Sequence, residues 1–413
     1  MPKRKLFYGW IIVAANVVMM IVSIGMINNC MSLYIVPICG DLGITRAAGS
    51  VISSVVSAGG VLVTALSARI YRRFRISHTM RFGAILLACA YASFSFAKSS
   101  WMLYASALFV SVANALVGYV PEAILLTNWF ERRTGFVVGL AYMGSGVGGM
   151  IFSPVIGNLI DAYGWRMTFV ILGCVIAVFA IPASFLLRDK PADMGLLPYG
   201  HDPRLGAAPL GREMFSGTPY DKALRSIPFW VLVLGIALTA VTTSGTSAMF
   251  AAHLSDVGYP ITVAATIISV SSGSLILGKA VLGYLYDHLH MTVVTMIAGV
   301  FLLAGMIAYA VLPGIVPIIM IILSFSIGFA LPTVAAPVLT RTVFGMRDFS
   351  RLSALVITFM NLISAAGSLI GGAVHDLSGS YVPAFVLFAV LVVITQVSMA
   401  IFLKPYREEG KTL

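Results

Sequence analysis

Lys279 lies in a long apolar run from Ile261 to Asp287. A lone ammonium in such a run costs at least roughly 2.5 to 3.5 kcal/mol on insertion scales, so it faces a protein interior or a water-filled path. An anion is its natural partner there. Ser272 stands seven residues before it and Gly283 four after it, which puts a small, polar helical face beside the charge. The competing reading is a structural lysine that snorkels: Asp287 is eight residues on, about 12 Å along a helix, at the end of the apolar run.

Other side chains could share a site with this cation. Glu122 follows Pro121 and is three residues from Tyr119, so the two share one helical face. A carboxyl there could carry a proton, or else pair structurally with an arginine. Asn28, Asn29 and Tyr34 supply amides and a phenol that could bind a carboxylate or hydroxyl, or hydrogen-bond between helices. Ser145 adds a hydroxyl within a glycine-rich stretch, and Asn361 and Ser364 lie among Gly367, Gly371 and Gly372. Histidine titrates near neutral pH, which makes His253 a second proton-coupling candidate, although it sits where an apolar segment ends, and Lys279 itself is the third. No Lys or Arg occurs between Arg351 and Lys404. One intramembrane cation matches one carboxylate, because a second buried charge would be left unpaired.

Several chemistries are missing. No Ser/His/Asp set, HExxH or Cys/His pair falls within the apolar segments, so an enzyme is not expected. Cys30, Cys39, Cys89 and Cys174 form no metal-ligand spacing, and neither a metal nor a cofactor is expected. Gly139, Gly144, Gly146, Gly148 and Gly149 have no following Lys-Ser/Thr, so they read as a helix-packing surface and not as a phosphate loop.

These groups must be positioned by membrane-spanning helices. The 413 residues are 59% hydrophobic and only 10% charged, against roughly a quarter charged in soluble proteins. Lys3, Arg4 and Lys5 precede an apolar run that continues to about Ile38 with no small-residue cleavage site, which reads as an uncleaved first span. At about 20 apolar residues per crossing, twelve spans are expected: 8–36, 47–68, 79–97, 101–127, 134–160, 166–187, 227–252, 261–286, 291–312, 314–340, 352–375 and 381–403. With the N-terminus inside, 22 of the 26 Lys and Arg fall on the cytoplasmic side. Both termini are therefore expected in the cytoplasm of a multi-pass cell-membrane protein. The net charge of +11 is then mostly topology. The cluster Arg69, Arg72, Arg73, Arg75 and Arg81 reads as a contact for anionic membrane lipid, and no nucleic acid is expected.

Residues 189–226, with Pro191, Pro198, Pro203 and Pro219, read as a flexible linker between a six-helix half at 1–188 and another at 227–413. Gly283 and Asp287 form a span-end motif after span 8. The matching place after span 2 reads Ala68-Arg69-Ile70-Tyr71-Arg72-Arg73, with Arg72 where the acid would stand. Duplicated halves suit alternating access, with the substrate site near the midplane.

The six-plus-six plan with GxxxD at 283–287 resembles the major facilitator superfamily, and more closely its monocarboxylate transporter and oxalate/formate antiporter branch. The matching stretches are Tyr8-Gly9-Trp10; Ser32-Leu33-Tyr34 with Pro37 and Asp41-Leu42-Gly43; Asn128-Trp129-Phe130-Glu131-Arg132-Arg133; His253 to Gly258; and Gly371 to Tyr381. The resemblance implies an all-α membrane protein of twelve transmembrane helices. It also implies that Lys279, four before Gly283, stands at the substrate-pairing cation of span 8, and that Tyr119, ten before Trp129, belongs to the same site. Three positions depart from the branch: Asn28 stands where proton-coupled animal members carry Lys, Leu275 replaces an acid one turn before the cation, and Lys replaces Arg.

The expectation is a secondary carrier, functional as a monomer, for a small monocarboxylate of the lactate, pyruvate or acetate class, with a proton as the co-substrate and exchange as the alternative. An exporter of drugs or other small organic compounds is the alternative transport reading. A membrane sensor or partner-binding subunit is the alternative of another class.

Overall fold

The computed structural model describes residues 7–61, 63, 70, 71, 73–130, 134–200, 217–345 and 347–403. Arg69, Arg72 and the Glu131-Arg132-Arg133 run lie outside these, as do the flanking terminal lysines. Among the described residues ten helices are long and apolar enough to cross a membrane, and no strand forms beyond two isolated backbone bridges. Helices are the expected solution, since each pairs its own backbone polar groups where water is absent.

Several spans are broken where the sequence supplies a reason. The helix Thr134–Leu186 turns at Gly164, whose φ of 74° is a left-handed conformation that only glycine adopts easily, and this separates the expected spans 5 and 6. Span 4 divides at Gly118 into Ser100–Val117 and Tyr119–Trp129. Span 1 runs Gly9–Met20, widens into a π-helix over Ile21–Asn28, and restarts at Ser32–Leu42. Span 10 repeats that pattern, with Ile315–Leu323, a π-helix Ser324–Gly328, and Leu331–Phe344. Wide turns of this kind are frequent at functional sites.

The chain forms two compact units, Met1–Pro203 with Phe250–Gly273, and Arg204–Met249 with Ser274–Leu413. In the first, spans 1 and 5 touch backbone to backbone. A Cβ built on Gly25 would lie 2.7 Å from Gly148 Cα, one on Gly144 2.7 Å from the Val17 carbonyl oxygen, and one on Gly148 would collide with the Ile21 carbonyl. The glycine run of span 5 is thus the packing surface its spacing suggests. In the second unit spans 7 and 11 meet the same way: a Cβ on Gly245 would lie 2.7 Å from the Gly367 oxygen, and one on Gly367 would strike the Val241 carbonyl. Small residues permit this close approach in membranes.

The described parts of the linker are tied down. Trp129 Nε1 donates to the Arg188 carbonyl at 2.8 Å, Tyr199 N to the Trp129 carbonyl at 2.9 Å, and Arg75 pairs with Asp189 and Asp193. At the far end Thr218 N donates to the Phe344 carbonyl at 2.8 Å and Tyr220 N to Asp348 Oδ2 at 3.0 Å. In the described parts of this linker, backbone donors find acceptors at the ends of spans 4 and 10. Residues 201–216 lie outside the described residues.

Gly148→Val should destabilise the fold by about 1 to 3 kcal/mol, because backbone blocks the new side chain. Gly139→Ala, where a Cβ meets nothing within 4 Å, should be neutral. Thermal unfolding of the detergent-solubilised proteins checks both; equal midpoints for the valine variant and the parent would refute the packing account.

Candidate functional site

Span 8 is one continuous helix, Ile261–His288. Leu275, Leu282 and Tyr286 on it pack into the apolar core of the second unit. Leu277, Val281 and Tyr284, on the opposite side, are exposed. At about 100° per residue, Lys279 falls between the packed stripe and the face of Ser272 and Gly283, away from the exposed side. Its stem therefore does not point where a snorkelling lysine would. The residue before it, Gly278, lies directly against the backbone of Ser326 in span 10, which fixes this turn of helix. Lys279 is half-buried, and among the described residues of its own unit no carboxylate lies within ion-pair distance.

The other basic residues off the densely charged face are accounted for. Arg46 pairs with Asp256 at 3.4 Å, and Arg166 is hydrogen-bonded to Asp41. Lys98 is exposed in a loop.

In the first unit a set of polar groups converges beside the breaks of spans 1 and 4. The Tyr142 hydroxyl donates to the Tyr119 carbonyl at 2.7 Å, and the two rings meet edge to face with centroids 4.8 Å apart. Ser145 Oγ donates to the Tyr142 carbonyl at 2.9 Å, and Asn29 Nδ2 to the Ser145 carbonyl at 2.9 Å. Gly149 opens this place: a Cβ there would lie 2.7 Å from Ser272 Oγ and 2.9 Å from Asn29 Nδ2. Tyr119, Ser145 and Asn29 are therefore brought together, joined by Tyr142 and Ser272. Glu122, one turn from Tyr119, is wholly buried, and neither carboxyl oxygen has a hydrogen-bond partner; among the described residues no arginine pairs with it.

The remaining candidates are placed elsewhere. Asn28 is exposed and accepts from Asn114 Nδ2 at 3.5 Å. Tyr34 is sealed in an aromatic cluster, stacked on Phe169 at 4.2 Å with the Tyr91 hydroxyl 3.4 Å from its own, which is a packing role. His253 is buried one turn before Asp256. Asn361 and Ser364 lie at the break of span 11, where Ser364 Oγ donates to the Asn361 carbonyl at 2.9 Å and Ser244 Oγ to the Ser364 carbonyl at 2.5 Å. Gly283 faces open space and Asp287 is exposed. Two residues of this neighbourhood escape a reading by motif. Tyr142 gives no signal, since a tyrosine in an apolar helix is ordinary. Asn16 does, as a lone amide between Ile11 and Val22.

This architecture is that of a multi-pass membrane carrier, all-helical, with paired glycine-packed spans in each unit. The family model of the Major Facilitator Superfamily matches residues 14–345, and the chain belongs to that family. Monocarboxylate transporter 13 of Bos taurus is 27% identical over 314 residues, covering 74% of this chain and 68% of that protein. Among solved structures the nucleoside transporter NupG superposes with a TM-score of 0.75 at 12% identity, covering 95% of this chain and 100% of that one. A bacterial homologue of the human lysosomal transporter Spinster, inward-facing and unoccupied, gives 0.68 at 16%, covering 96% and 95%. At these identities the two structures speak for the fold.

Tyr142→Phe should cost about 1 kcal/mol of stability, the usual net worth of one hydrogen bond, because it removes the tie across the break at Gly118. A thermal midpoint unchanged from the parent would show that this bond holds nothing.

Proposed function

We propose that the protein is a secondary carrier for a small monocarboxylate of the lactate, pyruvate or acetate class, working by alternating access between two six-helix halves with both termini in the cytoplasm. The observation that carries this reading is Lys279: a half-buried cation off the exposed side of an apolar helix, with no carboxylate among the described residues of its own unit within ion-pair distance. An anion that binds and leaves is the partner such a charge needs, and a fixed acid would defeat the purpose. Support comes from the relative named as a monocarboxylate transporter and from span 11, which offers no second cation for a second carboxylate. A lysine gives a compact point charge without a bidentate fork, which suits a small substrate read mainly by charge. Neutral donors such as Asn29, Ser145 and Tyr119 are the groups we assign to the rest of the substrate.

In the same reading a proton accompanies the anion and Glu122 carries it. A carboxyl sealed from water with no partner needs a proton or a counter-charge. Leu275, packed into the core where related carriers keep an acid, cannot supply that function.

Uptake of labelled mono- and dicarboxylates into proteoliposomes, with and without an inward proton gradient, tests both parts. Lys279→Gln should abolish carboxylate uptake, with a loss of tenfold or more, while Lys279→Arg should retain part of it; equal uptake by parent and glutamine variant would overturn the assignment. Glu122→Gln should remove the stimulation by a proton gradient yet leave carboxylate exchange, and an unaltered pH dependence would exclude Glu122 as the carrier of the proton.

A further inference from the structure

Asn16 and Glu122 are both wholly buried, and all four of their polar side-chain atoms lack a hydrogen-bond partner. They belong to two helices of the first unit that pack on each other, Gly9–Met20 and Tyr119–Trp129. The place where these helices meet is fixed at one end. A Cβ on Gly9 would lie 3.0 Å from the Phe130 ring, and the Tyr8 and Trp129 rings are 5.7 Å apart.

From that anchor both helices run about the same distance to the polar residue. Asn16 is seven residues beyond Gly9, and Glu122 seven before Trp129. Seven residues are about 10 Å of rise and almost two whole turns. Gly9 meets Phe130 and Tyr8 meets Trp129, so from either contact one of the two residues is seven positions along its helix and the other eight, about 10 to 12 Å of rise on each. Asn16 and Glu122 therefore stand at about the same height on two neighbouring helices.

We infer that Asn16 is the positioning partner of Glu122, and that an internal water bridges the Asn16 amide and the Glu122 carboxyl. A buried water typically makes about three hydrogen bonds to groups that would otherwise stay unsatisfied. An amide and a carboxyl together offer both donors and acceptors, so a bridging water can be held whether or not the carboxyl bears a proton. A metal cation is the poorer occupant. Three side-chain oxygens fall short of the six or more that a hard cation takes, and the Asn16 amide also presents N–H donors.

The groups facing the carboxyl leave this partnership open. Tyr119 stands three residues before Glu122 on its own helix, and Tyr142 of span 5 packs its ring on that of Tyr119. Tyr142 gives its proton to the Tyr119 carbonyl. On span 1, Tyr8 is bound to the Leu186 carbonyl. On span 3, Arg81 is stacked over Phe185.

The inference rests on the reading of Glu122 as the proton carrier for its consequence, though not for the pair itself, and two measurements separate them. The first is infrared difference spectroscopy of the full-length protein in lipid, where the Glu122 carboxyl band is identified by its loss in Glu122→Gln. Asn16→Leu should move that band, and Asn16→Ser, which keeps a polar atom, should move it less; a band unmoved in both variants overturns the pair. Should the leucine variant fail to fold, the serine variant alone carries the test. The second measurement is proton-driven uptake. Asn16→Leu should displace its pH midpoint by about 0.7 unit, a roughly fivefold change in proton affinity, with exchange at equal pH within twofold of the parent. In the Glu122→Gln background the same change should add nothing. A moved band with pH dependence intact in Glu122→Gln supports the pair and removes the coupling reading; equal loss of uptake and exchange with an unshifted midpoint and an unmoved band makes Asn16 a packing residue.

Discussion

A polar group inside a bilayer has no water to fall back on, and every polar side chain of this protein is arranged around that constraint. Most solve it locally. Ser23 donates to the Met19 carbonyl, Ser153 to Gly149, Thr239 to Gly235 and Thr340 to Ala336, each one turn back along its own helix at 2.6 to 2.7 Å. Arg46 and Arg166 solve it with acids. Against that background an unsatisfied group is informative. In the first unit Asn16 and Glu122 are wholly buried, and among the described residues neither side chain has a hydrogen-bond partner.

The same constraint explains why the helices that carry these groups are held so rigidly. A charge can be kept off the lipid face only if the helix bearing it cannot rotate. Gly278 pressed against the Ser326 backbone does this for Lys279. Around Glu122 the work is shared between the aromatic seam of Tyr8, Trp10, Trp129 and Phe130 and the glycine contact of spans 1 and 5. Glycine-to-backbone contacts are stiff because nothing in them can rotate aside, whereas the π-helical turns at Ile21–Asn28 and Ser324–Gly328 are the weakly bonded parts of the same spans.

Much of this was legible in the residues. Apolar runs of about 20 residues locate the spans, because lipid leaves a helix no alternative, and the cost of burying a charge singles out Lys279. Tyr119 and Glu122 stand three residues apart on the helix Tyr119–Trp129. What could not be read was partnership across helices. Tyr34 looks like a hydrogen-bonding phenol in sequence, yet Phe169, some 135 positions away, stacks on it and closes it off. The linker's prolines and mixed charge describe only the segment itself, while the acceptors that its described backbone donors find belong to residues 129 and 344. Asn16 gives only a weak signal in sequence, since a single amide in a long apolar run resembles an ordinary interhelical contact.

Charged and neutral polar residues differ in how far their burial can be read from sequence. A charged residue draws attention because its burial is costly whatever surrounds it. A neutral amide is ambiguous, because its cost depends wholly on whether a neighbour answers it. Asn29 and Asn16 make the comparison within one span: Asn29 Nδ2 is answered by the Ser145 carbonyl at 2.9 Å, and Asn16 is answered by nothing. Identical side chains of one span, Asn29 in the turn that breaks it and Asn16 within its first helix, thus fall into different roles, one fixing the junction of spans 1 and 5, the other left without a hydrogen-bond partner. Two unsatisfied groups at one height on neighbouring helices are cheaper together than apart, since one water serves both. Their coincidence at one height is therefore better explained by selection for a shared occupant than by two separate packing defects.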